Sequence, residues 1–225
     1  MLHYTTEIAS GGFVIRDPVT AVTNIMMFFA GLLAWRRLIR DDITLRAARI
    51  WRWFFAGISI ASLIGVIVHG LSFYTPENVH LSIWLTMGLV QSAGVSGAQL
   101  ATVEQYWPDK LRLLQGFVIA QLVITTIVLI SFQSYTIVKY HLALGILPIM
   151  GWHLYQFSKS KKSGIWIAGG VLVSGITGAV HGFKISLSLW FNYNDISHIL
   201  VIVSVWMMAK GVLLLNEESK LPVQG

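Results

Sequence analysis

Cysteine is absent from the 225-residue chain. Disulfides and thiolate ligands are therefore excluded, and any metal must be held by His, Asp, Glu, Asn or backbone oxygen. Charge is scarce as well: 12% of residues are Asp, Glu, Lys or Arg, against 55% that are hydrophobic. That balance argues against the one or two soluble domains that length alone would suggest. No linker or low-complexity stretch divides the sequence, so a single domain over 1–225 is expected. The opening "MLHYTTEIASGGFVIRDP" lacks the basic n-region and apolar h-region of a cleavable signal.

What is present is apolar and segmented. Mean hydropathy is +0.68. Seven apolar runs lie at roughly 18–36, 52–74, 79–103, 112–132, 135–157, 164–190 and 195–215. Each is long enough to cross a hydrocarbon core about 30 Å thick. Helices are required, because unpaired backbone groups cannot face lipid. The expected fold is an all-α membrane protein, a bundle of seven transmembrane helices.

The net charge of +6 is placed as a membrane protein would place it, not as a nucleic-acid binder would. Arg36, Arg37, Arg40, Arg46, Arg49 and Arg52 flank the first connection. Lys110 and Arg112 flank the third, Lys159, Lys161 and Lys162 the fifth, and Lys210 and Lys220 follow the last helix. The positive-inside rule then puts the C-terminus in the cytoplasm and the N-terminus outside. A bacterial inner membrane is the expected location.

The polar residues converge on the other side. "NYNDISH" at 192–198 opens the last helix, just ahead of the apolar "ILVIVSVWMM". His69, His80, His181 and His198, with Asp17, Asn24 and Asp195, all fall toward the outer ends of their helices. A single His in a membrane helix commonly serves as a hydrogen-bonding link between helices. Several at one depth beside carboxylates point instead to a functional site, since intramembrane ionisable groups are costly. His69, His80 and His198 are expected to share that site, joined by His181. Imidazoles suit zinc, and also copper, iron or nickel. Paired histidines on neighbouring helices equally suit haem. His141 reads as an interfacial polar residue. Lys184, one turn after His181, reads as snorkelling outward or pairing with Asp195.

These residues resemble the CREST superfamily of seven-helix membrane hydrolases, which includes alkaline ceramidases and progestin/adipoQ receptors. "DPVTAVTN" offers Asp17 and Asn24 where that family carries an acidic residue and Asn at helix one. His69 stands at the position of its helix-two His, with Gly65 at the place of a Ser four residues earlier. His80 stands where it carries an Asp. Asn194-x-x-x-His198 stands where it carries His-x-x-x-His in helix seven. The resemblance implies a zinc site using His69 and His198, completed here by His80 or His181. It also implies hydrolysis of a lipid amide or ester that enters sideways between helices. Asp195 is the first candidate for orienting a ligand or moving a proton, and Asp17 the second. Two other readings stand beside this one: a non-hydrolytic haem or metal protein, and a seven-helix receptor or sensor subunit. Oligomeric state is left open.

Overall fold

Alternating apolar runs and short polar connections leave the backbone one economical solution in lipid, a set of antiparallel helices. The computed structural model describes residues 6–221 and contains seven long helices. They are α1 (Pro18–Arg40), α2 (Arg46–Gly70), α3 (Glu77–Tyr106), α4 (Leu111–Phe132), α5 (Tyr135–Ser158), α6 (Lys162–Phe183) and α7 (Tyr193–Glu218). Six regions, all but α3, are long and apolar enough to cross a membrane. The chain is a membrane-embedded helical protein. α3 is the longest helix at 30 residues, but it carries Ser, Gly and Gln along a buried face. Its polarity serves its neighbours, as described below.

The helices α1, α2, α3, α5, α6 and α7 pack in that order, and α7 closes back onto α1. α4 lies outside this ring, against α3 and α5, and only 17% of its apolar window is buried. Trp51, Phe55, Ile167, Val205 and Val212 fill the core with side chains almost wholly removed from solvent. α2 and α3 touch where Gly57 faces Gly94: a Cβ on Gly57 would stand 2.8 Å from the Gly94 Cα. Only a pair without side chains allows backbones that close.

Antiparallel alternation sorts the two ends. Most arginines and lysines gather at one, called here the basic end, and Asp17, His69, His80, His181 and His198 at the other, the histidine end, with Arg16, Lys139 and Lys184. The basic end is tied by Asn216 of α7. Its Oδ1 accepts from the Thr44 and Leu45 amides (3.0 Å each), and its Nδ2 donates to the Asp42 carbonyl (3.2 Å).

Three features depart from the sequence expectation. A short antiparallel hairpin, β1 (Glu7–Ser10) and β2 (Phe13–Arg16), precedes α1, so the chain is not purely helical. Gly11 and Gly12, both at positive φ, turn it. It rests on a 3-10 turn, Ser72–Tyr74, through a stacked Phe13–Tyr74 pair and a Val14 N–H donated to the Tyr74 hydroxyl (2.6 Å). α2 ends at Gly70, not near 74. α6 ends at Phe183, seven residues before the expected 190. Lys184 turns the chain with φ 51°, and an irregular loop runs to Asn192. Hydropathy carried the expected helix through this loop because Ile185, Leu187 and Leu189 are as apolar as a helix core.

Candidate functional site

The histidine end of the ring brings α1, α2, α6 and α7 together. Asp195 sits at the start of α7 and is wholly buried. Its Oδ2 accepts the Asn192 amide (2.7 Å), while the Asn192 Oδ1 accepts the Asn194 amide (2.8 Å). This reciprocal capping satisfies two orphan N–H groups of the helix. The positive end of the α7 dipole also favours a carboxylate there. Asp195 Oδ1 accepts from two hydroxyls of α1, Thr20 (2.8 Å) and Thr23 (3.4 Å).

Thr23 then reaches His198: its Oγ1 lies 2.8 Å from His198 Nδ1. With the hydroxyl hydrogen directed to Asp195 or to the Thr20 carbonyl (3.1 Å), that contact is a donation from Nδ1–H. Nε2 is left as the basic nitrogen, turned away from the carboxylate. Asp195 thus orients His198 through Thr23 rather than by direct contact.

His69, in the last turn of α2, lies against this pair. Its ring centroid is 6.5 Å from that of His198, with the planes at 75°. Its Nδ1 is 3.8 Å from Asp17 Oδ2. Asp17 itself has φ 42°, ψ 55°, the left-handed region that a non-glycine residue enters only under constraint. The constraint is local: the Asp17 amide donates to the Thr6 carbonyl (2.7 Å), and Pro18 follows with a φ suited to a first helical position. His181, in the last turn of α6, packs edge-on against Tyr193 with centroids 4.9 Å apart. Its ring lies at the same end of the bundle as His69 and His198.

Four further placements complete the picture. His80 does not contact this group. Its Nδ1 meets Thr75 Oγ1 (3.4 Å), five residues earlier. Lys184 is exposed and does not pair with Asp195, whose oxygens are taken by Thr20, Thr23 and the Asn192 amide. His141 is buried, not interfacial. Its Nδ1 meets Thr125 (2.9 Å) and Gln121 (3.4 Å) of α4, and its Nε2 meets the Ser92 carbonyl (3.2 Å) and Ser96 (3.5 Å) of α3. His153 is buried at the basic end, with Nδ1 3.4 Å from the Tyr106 hydroxyl.

Gly65, one turn before His69, faces the Asn24 carboxamide so closely that a Cβ there would collide with Oδ1. Asn24 is anchored by donating Nδ2 to the Thr20 carbonyl (3.0 Å). Sequence reasoning missed Thr23 and the role of Thr20. Their signal was the spacing Thr20, Thr23, Asn24, which is one face of a helix.

The donor chemistry suits a metal: the Nδ1 atoms of His198 and His69 face polar partners, and no hydrogen bond engages either Nε2 among the described residues. Among the described residues, however, no three His, Asp or Glu side chains stand in metal-binding geometry. Two imidazoles on one zinc at about 2.0–2.1 Å have ring centroids about 5 Å apart. The 6.5 Å between His69 and His198 therefore requires the rings to approach.

A family model described as a family of unknown function (DUF6962) matches residues 19–217, and the chain belongs to that family. The match covers all seven helices but for the first residue of α1 and the last of α7. No curated protein matches the chain.

Proposed function

We propose that this is a seven-span, CREST-like membrane metalloprotein acting on a lipid amide or ester, with its site at the extracytoplasmic ends of α1, α2, α6 and α7. The observation that carries the reading is the Asp195–Thr23–His198 chain beside His69. Such an arrangement fixes the tautomer of a ligating imidazole and raises its basicity. His198, His69 and His181 are the proposed zinc ligands. Zinc, when bound, would supply a Lewis acid and a water of near-neutral pKa.

The chain's own residues do the rest. Asp195 holds His198 in the tautomer with Nε2 free. Asp17 steers His69 and can hold or release a proton at the mouth of the site. Asn24 places a carboxamide at Gly65, the position where the resembled hydrolases carry Ser, and so keeps a polar group there. A lipid reaches the site sideways. The arginine and lysine distribution supports a cytoplasmic basic end.

The test is elemental analysis of the purified chain with one visible spectrum. About one zinc per chain and no colour is expected, falling to background in His69→Ala. A red preparation with a Soret band, or stoichiometric zinc retained in His69→Ala, overturns the ligand assignment.

A further inference from the structure

The connection between α6 and α7 is built of alternating residues: Phe183, Lys184, Ile185, Ser186, Leu187, Ser188, Leu189, Trp190. The segment runs through consecutive bends, and its residues from Phe183 to Trp190 are all exposed, the apolar ones included: Phe183 is 81% exposed, Leu187 78% and Leu189 68%. The two serines hydrogen-bond within the loop. Ser186 Oγ accepts the Tyr193 amide (3.1 Å) and Ser188 Oγ accepts the Phe191 amide (2.9 Å). The Leu187 and Ser188 amides both donate to the Phe191 carbonyl (3.1 Å each), and the Ile185 amide donates to the Val180 carbonyl (3.0 Å). The segment is a closed finger with the amides of Ile185, Leu187, Ser188 and Phe191 satisfied and its apolar side chains bare.

Bare leucines cost free energy in water and recover it in an apolar layer. Amides paired within the chain lower the cost of entering a low-dielectric layer. Depth is set by α6: its 22 residues, at about 1.5 Å each, run roughly 33 Å, about one hydrocarbon thickness. The finger therefore leaves the helix at the membrane boundary rather than beyond it. Trp190 and Lys184 are side chains that favour that boundary.

We infer that residues 183–191 form a lipid-embedded finger, seated in the leaflet at the histidine end of the membrane that the chain's own helices span. Its two ends carry His181 on one side and Tyr193, Asn194 and Asp195 on the other. The finger thus ties the position of α6's last turn, relative to α7's first, to the lipid around it. This stands on the membrane reading of the helices and does not require a metal.

The absence of cysteine gives a clean experiment. Leu187→Cys and Leu189→Cys are spin-labelled separately in the full chain and reconstituted in phosphatidylcholine/phosphatidylglycerol vesicles. Lys161→Cys, exposed between α5 and α6, is the aqueous reference. Neither leucine is covered by the rest of the protein, so neither substitution disturbs packing, and the two positions check each other. The expected result is an oxygen-to-nickel-chelate collision ratio several-fold higher at 187 and 189 than at 161. Equal ratios would place the finger in water and overturn the inference. Spin–spin broadening that disappears on dilution with unlabelled chain would mean that a second copy covers it, and would overturn it as well. Zinc content is unaffected in either case, which separates this test from that of the metal site.

Discussion

Two histidines of this bundle sit in polar company, His141 buried and His198 half-buried, and they are held in opposite ways. His141 is enclosed by Thr125, Gln121, Ser96 and the Ser92 carbonyl, and both ring nitrogens are engaged. Every partner is neutral. His198 has one nitrogen engaged, and that one leads through Thr23 to a carboxylate. A ring spent on both sides joins helices; a ring spent on one side keeps a lone pair for something else. The difference that bears on ligand binding lies in what the second nitrogen meets.

The same contrast explains α3 and α4. α4 is the most apolar span, with mean hydropathy 2.3, yet it lies outside the ring. Apolar packing gives little preference for protein over lipid in a bilayer, where helices associate through close packing and hydrogen bonds. Gln121 and Thr125 of α4 meet His141, and Gln121 also accepts from Gln99 Nε2 of α3 (3.1 Å). These contacts hold α4 to its neighbours and are the reason α3 is the least membrane-like helix by composition.

Mutations can break this contrast at several points. The largest effect is expected at Asp195→Ala, which removes the α7 cap and the acceptor for two buried hydroxyls. About 2–3 kcal/mol of stability should be lost, and zinc affinity should fall about 10–100-fold, measured by thermal melting and by competition with a chelator. Gly65→Ser should cost about 2 kcal/mol by collision with Asn24, and the double change with Asn24→Ala should recover most of it. Failure of that rescue in melting experiments would mean that Asn24 does not occupy the space facing Gly65. His141→Leu should cost about 1 kcal/mol, in line with hydrogen bonds between membrane helices, and leave metal content unchanged. A loss of metal there would erase the distinction drawn between the two rings. Smallest of all, His80→Ala should change stability by less than about 0.5 kcal/mol and leave zinc in place, since its ring meets only Thr75.

The helices were legible because hydropathy and basic residues alternate along the chain, and both reflect the solvent rather than tertiary detail. Helix ends were legible where a polar cluster interrupts, as at "NYND", and illegible where apolar residues run on past the last hydrogen-bonded turn, as at Phe183. The placement of His69, His181 and His198 at one end of the bundle, with His69 and His198 side by side, followed from counting residues along antiparallel helices. His80 fits the same count, but its ring turns to its own preceding loop, and direction is not encoded in depth. Thr20 and Thr23 were missed because threonine in a membrane helix usually bonds its own backbone; only the placement of Asp195 across the interface gives them another task. The hairpin at Glu7–Arg16 was missed because its four-residue strands are too short for alternation to register.

The left-handed backbone at Asp17 narrows which residues that position can hold. Glycine would relieve the torsion but remove the carboxylate 3.8 Å from His69. Asparagine would keep the shape and forfeit the charge, and a β-branched residue would meet a steric penalty that no partner offsets. Of the residues that enter this region most readily, glycine and asparagine fit the backbone, and aspartate fits it while keeping a carboxylate beside His69.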